Sequence, residues 1–197
     1  MTAALKSFLP ISEYLTFEQA RRMRYEYHYG EVFAMAGGTI NHTTLCGNAY
    51  RLLDREIRKK DLSCRAFTSE LKVEIVTAKR YLYPDATVVC GKLNESETIK
   101  GAVRNPRIIV EVTSEDSGNY DRGDKMRYYL SIPTVREYLI IDQDTASVTL
   151  YRREKSSDLG QFHYADGLDS EIILDSLGIS ISLGELYENV TLTDKPD

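Results

Sequence analysis

Apolar and polar positions divide the chain into alternating helical and extended stretches. Thr16-Phe-Glu-Gln19 has the spacing of a capping box and predicts a short helix to about Tyr27. Gly30 interrupts it, and a strand over 31–36 is closed by Gly37-Gly38. With Asn41 as cap, Leu45, Ala49, Leu52, Leu53 and Ile57 recur at helical spacing and predict a longer helix over 43–60. A single long strand is expected over 63–76, a turn at Lys79-Arg80, and a strand over 81–90. The polar, turn-rich stretch 91–106 is a loop before the strand 107–114. A second loop, 114–120, precedes a helix that Asp121 caps and Ile132-Pro133 ends. A buried-type strand over 136–142, a strand over 147–153 and a hairpin partner over 161–164 follow. Ser182-Leu-Gly-Glu185 opens a last short helix with Leu183, Leu186, Tyr187 and Val190 inward. The order predicts one mixed α/β sheet with helices on its faces.

Composition narrows this modestly. A chain of 197 residues without repeats or linkers is expected to be one domain over 1–197, with its core at about 41–142. Three widely spaced cysteines, Cys46, Cys64 and Cys90, fit neither a zinc pattern nor a disulfide framework, and are expected to be reduced in a cytoplasmic protein. No stretch reaches the ~18 apolar residues of a membrane span, so no membrane partner is expected. A net charge of −5 argues against non-specific coating of nucleic acid, though not against a local basic groove.

The chemistry concentrates between Tyr81 and Lys125. Two apolar runs each carry one acid, Asp85 and Glu111, where a buried strand ordinarily has none. A buried carboxylate is costly unless a cation or several donors meet it. Strand alternation puts Asp85, Thr87 and Val89 on one face, and Ile109, Glu111 and Thr113 on one face. If the two strands are neighbours, about 4.8 Å apart, both carboxylates reach one pocket. Hard oxygen ligands so placed suit Mg²⁺ or Mn²⁺. Thr113, two residues beyond Glu111, cannot supply the cation that phosphate chemistry wants; Lys125 in the following helix is the nearest downstream lysine.

These residues resemble the Uma-type restriction endonucleases, within the larger P-D…(D/E)-x-K nuclease superfamily. The resemblance rests on Pro84-Asp85, Glu111-Val-Thr-Ser114, Asp121-Arg-Gly-Asp-Lys125, Glu137-Tyr138 and Asp142, with Tyr25-Glu26, Gly30-Glu31 and His42 upstream, and covers roughly residues 14–190. It implies a restriction-endonuclease-like fold and Asp85 and Glu111 as Mg²⁺ ligands, with Lys125 displaced from strand to helix in place of the superfamily lysine. The Val112 carbonyl is expected to complete the metal site. DNA is the expected substrate, and a homodimer matches a two-fold duplex. A non-catalytic interaction module and a hydrolase of smaller phosphate esters stay open beside that reading.

Plainer readings stand next to each residue. Asp85 after a proline is also a turn aspartate, and Glu111 also a structural salt bridge. Lys125 and Asp121, four apart, also pair on a solvated helix face. Glu31 either supports the metal or ends a strand in solvent; His42 is either catalytic or a local hydrogen-bonder. Glu70-Leu71-Lys72 spells E-x-K but precedes Pro-Asp, so Glu70 is only a candidate near the pocket and Lys72 is expected to point outward. Arg51, Arg55 and Arg58 recur on one helix face, either solvated or contacting phosphates.

Overall fold

The computed structural model describes residues 8–35, 37–113, 118–154 and 160–193. Helix α1 spans Ile11–Arg21, strands β1 and β2 Tyr25–His28 and Glu31–Ala34, and helix α2 Ile40–Lys59. The strands β3 Cys64–Thr68, β4 Lys72–Ile75, β5 Arg80–Leu82, β6 Ala86–Cys90, β7 Ala102–Val103 and β8 Pro106–Thr113 follow. A helical run then passes through α3 (Gly118–Tyr120), a π-helical turn over Asp121–Lys125, and α4 (Met126–Leu130). Strands β9 Glu137–Asp142, β10 Ser147–Arg153, β11 Gly160–Asp166, β12 Glu171–Leu174 and β13 Ile179–Ser182, then helix α5 Leu183–Leu186, complete the chain.

The strands form three sheets rather than the single sheet expected: six strands in the order β11-β10-β9-β8-β6-β3, five in the order β2-β1-β5-β4-β7, and the β12–β13 hairpin. The division explains two failed expectations. The run 63–76 is not one strand, because a turn at Thr68 to Leu71, closed by the Leu71 N–H to the Thr68 carbonyl, carries the chain from one large sheet to the other. The run 81–90 breaks likewise at Tyr83-Pro84-Asp85, where Pro84 has no N–H for a ladder. Two corners therefore form a seam between the sheets, and Asp85 stands in it just before β6.

Three apolar layers follow. Leu45, Ala49, Leu52, Leu53 and Ile57 of α2, the predicted stripe, pack on Val88, Ile108, Val110 and Val112. The other face of the same sheet, through Val89, Ile109, Tyr138 and Ile140, meets α4 and the inner face of the five-stranded sheet at Val73, Ile75 and Leu82. The outer face of that second sheet, Tyr25, Tyr27 and Tyr81, packs on Tyr14 of α1. Strands β6 and β8 are antiparallel neighbours, as the site hypothesis required, and β8 runs parallel to β9.

Other boundaries move. The first helix starts at Ile11 behind Pro10 and ends at Arg21, and Tyr25–His28 is strand, because alternating Tyr25 and Tyr27 bury against Tyr14. Thr39, not Asn41, caps α2, accepting the His42 N–H. Asp121 lies inside a helical run, after Gly118–Tyr120, rather than at its start. Residue 36 of the second strand and 114–117 of the expected loop lie outside the described residues. Cys64 and Cys90, expected to be reduced, are joined by a disulfide, since the β3–β6 register sets them directly opposite each other. Among the described residues no helix is long and apolar enough to cross a membrane.

Candidate active site

The seam between the two large sheets gathers the polar groups that the apolar layers cannot hold. Glu111 comes from the middle strand β8 and is almost wholly buried, at 2% exposure. Lys125, at 8%, reaches it from the π-helical turn, its Nζ donating to Glu111 Oε2 at 2.8 Å. A π turn adds a residue to the helical repeat and so re-aims a side chain, and such turns recur at functional sites. The same ammonium lies 3.6 Å from Glu26 Oε1 and 3.7 Å from Asp121 Oδ1. Asp85 accepts the Val112 N–H at 2.8 Å and faces His42 Nε2 at 3.4 Å on the same oxygen. His42 in turn sets Nδ1 3.5 Å from the Cys46 Sγ. Its ring rests on Gly38, where a Cβ would come within 2.5 Å of Nδ1.

The charges do not balance. Glu26, Asp85, Glu111 and Asp121 converge on one lysine, supplemented by His42 when protonated. Burial pushes Glu111 well above the usual carboxylate range, and the negative charges of Asp85 and Asp121 add to it, outweighing Lys125. Burial also works against Lys125, but Glu111, Glu26 and Asp121 hold its pKa well above the ordinary value, so it stays an ammonium. Burial opposes ionised Asp85 and Glu26 too. His42, Lys125 and the Val112 N–H keep Asp85 below its ordinary range; Lys125 and His28 do so for Glu26. The hydrogen bond His42 donates to Asp85 raises the His42 pKa despite burial. Two carboxylate oxygens here, Glu111 Oε1 and Glu26 Oε1, are buried without a hydrogen-bond partner among the described residues. A buried carboxylate oxygen short of donors is the condition under which a small divalent cation binds.

The structure thus brings together Asp85, Glu111, Lys125 and His42, and puts the Val112 backbone beside Asp85. It keeps Glu31 and Glu70 away. Glu31 starts β2 exposed, opposite His28 in the register, and Glu70 pairs at 3.2 Å with Arg24 in solvent. Lys72, expected to point outward, is instead buried, its Nζ 2.7 Å from Glu18 Oε2 and stacked over Tyr14 and Tyr83. Strand alternation sets it on the face opposite Val73, and that face is covered by α1.

The helix stripe is not a free cationic surface. Arg51 reaches Glu188 at 3.0 Å, Arg55 grips Glu185 at 2.6 and 2.8 Å, and Arg58 pairs with Asp54 at 2.7 Å. At 1.5 Å per residue, Arg55 lies about 20 Å along α2 from His42. Two residues of the cluster escaped the reading of single residues. Glu26 had a signal, as the polar member between Tyr25 and Tyr27, so that it must face the other layer. Cys46 had one too, four residues after His42 on the same helix face.

Comparison with known proteins bears on this geometry. The model of the family described as "Uma2: Putative restriction endonuclease" matches residues 11–184. An uncharacterised protein of Synechocystis sp. is 29% identical over 178 residues, 90% of each chain. A second from the same organism is 33% identical over 153 residues, covering 78% of this chain and 85% of that protein. A crystal structure from Anabaena variabilis, described as a putative nuclease, superimposes with a TM-score of 0.72 over 91% of this chain and 98% of its own. Its 17% identity makes that a likeness of fold.

Proposed function

We propose, from the premise that the chain belongs to the Uma2 family of restriction-endonuclease-like proteins, that it is a divalent-metal-dependent endonuclease hydrolysing DNA phosphodiester bonds. The family description and the likeness of fold support a nuclease in general terms; the activity, the substrate, the metal and the residue roles are this proposal. The observation that carries it is the bare, buried Oε1 of Glu111 in a seam with more carboxylates than cations.

In this reading Asp85 and Glu111 hold Mg²⁺ or Mn²⁺, with the Val112 carbonyl as third ligand. When bound, the ion supplies a Lewis acid for the phosphate and a water of lowered pKa. Lys125, kept protonated by its acidic neighbours, stabilises the charge that builds on the phosphoryl oxygens. Glu26 and Asp121 hold the Lys125 side chain across the seam toward Glu111. His42 keeps Asp85 ionised and turned inward. Cutting both strands requires two such sites, so the active form in this reading is a homodimer.

Plasmid DNA incubated with Mg²⁺, and with Mg²⁺ plus EDTA, tests the reading. Nicking and linearisation should occur only without chelator. No cleavage by wild type, or cleavage unaffected by EDTA, would refute it; turnover of a small chromogenic phosphodiester but not of DNA would transfer the site to smaller phosphate esters.

A further inference from the structure

The seam holds a second donor set, unlike the hard oxygens of Glu111. His42 and Cys46 stand one turn apart on α2, so both leave the same helix face. The corner at Pro84 brings Asp85 to that face. One ligand atom from each of His42, Cys46 and Asp85 lies within 4.8 Å of the other two. The two sides of the imidazole face the two partners, Nδ1 at 3.5 Å from Sγ and Nε2 at 3.4 Å from Asp85 Oδ2, and an ion would use one of these nitrogens. A tetrahedral ion with bonds of about 2.0–2.3 Å has ligand–ligand edges of about 3.3–3.8 Å, so a set whose atoms lie within 4.8 Å of one another closes by about 1 Å around the ion. Gly38 behind the imidazole and the Val112 N–H on Asp85 hold two of the three in place.

The donor types decide which ion fits. Thiolate and imidazole are poor ligands for Mg²⁺ and good ones for Zn²⁺ or Co²⁺. We propose that His42, Cys46 and Asp85 form a three-residue site for a borderline transition ion, Zn²⁺ above all, with the fourth position open to water. Binding forms one bond each to sulfur, nitrogen and oxygen; it releases the Cys46 thiol proton to solvent, and His42 binds as neutral imidazole through the nitrogen that carries no proton. The inference rests on the nuclease reading only in that Asp85 is shared: Zn²⁺ at this site takes a ligand from the hydrolytic metal and holds cleavage down.

The test uses the full chain and cobalt as a spectroscopic stand-in. Cys46 is the free cysteine and the other two are disulfide-bonded, so a sulfur-to-cobalt charge-transfer band reports Cys46. One equivalent of Co²⁺ should give that band with tetrahedral ligand-field absorption, and Zn²⁺ should displace it. Cys46→Ser should lose the band, and both it and His42→Gln should weaken Zn²⁺ affinity by at least about tenfold, the lower end for residues that merely orient ligands. Thermal unfolding of each variant without metal checks that it folds. Glu111→Gln should keep the band. A cobalt spectrum without the sulfur band, or unchanged Zn²⁺ affinity in Cys46→Ser, overturns the proposal. The band in Co²⁺, with no DNA cleavage by the Zn²⁺- and Co²⁺-free protein in Mg²⁺, upholds it while refuting the nuclease reading; cleavage in Mg²⁺ without the band in Co²⁺ does the reverse.

Discussion

Among the described residues two lysines are buried, each against a glutamate, and the two pairs are built in opposite ways. Glu18, on the buried face of α1, has every oxygen engaged: Lys72 on Oε2 at 2.7 Å, and on Oε1 the Tyr83 hydroxyl at 2.7 Å and the Tyr25 N–H at 3.1 Å. Lys72 is further wrapped by the rings of Tyr14 and Tyr83. Glu111, in the seam, shares Lys125 with Glu26 and Asp121 and leaves one oxygen bare. A buried pair with its hydrogen bonds complete is a structural device. A buried pair short of donors and surrounded by like charge is held in a state that a further cation would relieve. The E-x-K spelling points to the first pair and the chemistry to the second.

The sharpest way to break this contrast is Glu111→Gln. Cleavage should vanish while the metal-free protein becomes more stable. The sign follows from its titration. Glu111 keeps its proton in the folded chain well above the ordinary value of 4.5, so folding loses stability as pH rises from that value, and an amide removes the loss. Activity retained, or a melting temperature that falls at pH 7, would show Glu111 to be structural. Lys72→Ala should do the reverse. It strands Glu18 and should cost about 3–5 kcal/mol in denaturant unfolding, with cleavage per folded molecule unchanged. A Lys72→Ala protein that unfolds like wild type would remove the distinction from the other side.

Lys125→Ala tests the catalytic pair in the same terms. Turnover should fall by about 10²–10³-fold, the scale of one lost transition-state donor, while metal affinity stays close to wild type. Normal turnover would make Lys125 a counter-charge only. The smallest effect concerns His42, read by NMR titration. Its pKa is raised by Asp85, so the pair stabilises the fold below the ordinary value of 6.5 and loses that contribution as pH rises through the folded value. Asp85→Asn should bring the titration down, because burial and the Lys125 charge then oppose only the weaker pull of Asp121. An unmoved His42 titration would mean the 3.4 Å contact is not made in solution.

Much of this was legible in the one-dimensional pattern, and particular residues show why. The α2 stripe from Leu45 to Ile57 and the strands β8 to β10 were readable because their periodicity is carried by buried apolar side chains that answer to neighbours in sequence. The acids Asp85 and Glu111 were conspicuous for the complementary reason: a carboxylate inside such a run has no local partner. Lys125 was reachable as a helix residue downstream of Glu111, and it does meet it.

Partners across the fold were decided elsewhere. Nothing near Lys72 in sequence distinguishes a solvent face from one covered by α1, since alternation gives the two faces of a strand but not what lies over each. Glu26 enters the seam because two sheets, not one, share the chain, and the corners at Ser69-Glu70 and Pro84 that separate them look in sequence like continuations of strands. The Cys64–Cys90 bond depends on a register between strands 26 residues apart, and the pairing of Arg55 with Glu185 on contact with α5. The sequence by itself determined which residues must be buried and which buried ones lacked a local counter-charge, because both follow from apolar periodicity and the cost of desolvating an ion. Only the tertiary structure decided which charge meets which, because that depends on contacts between segments far apart in the chain, and on which of two like-looking pairs is left unsatisfied.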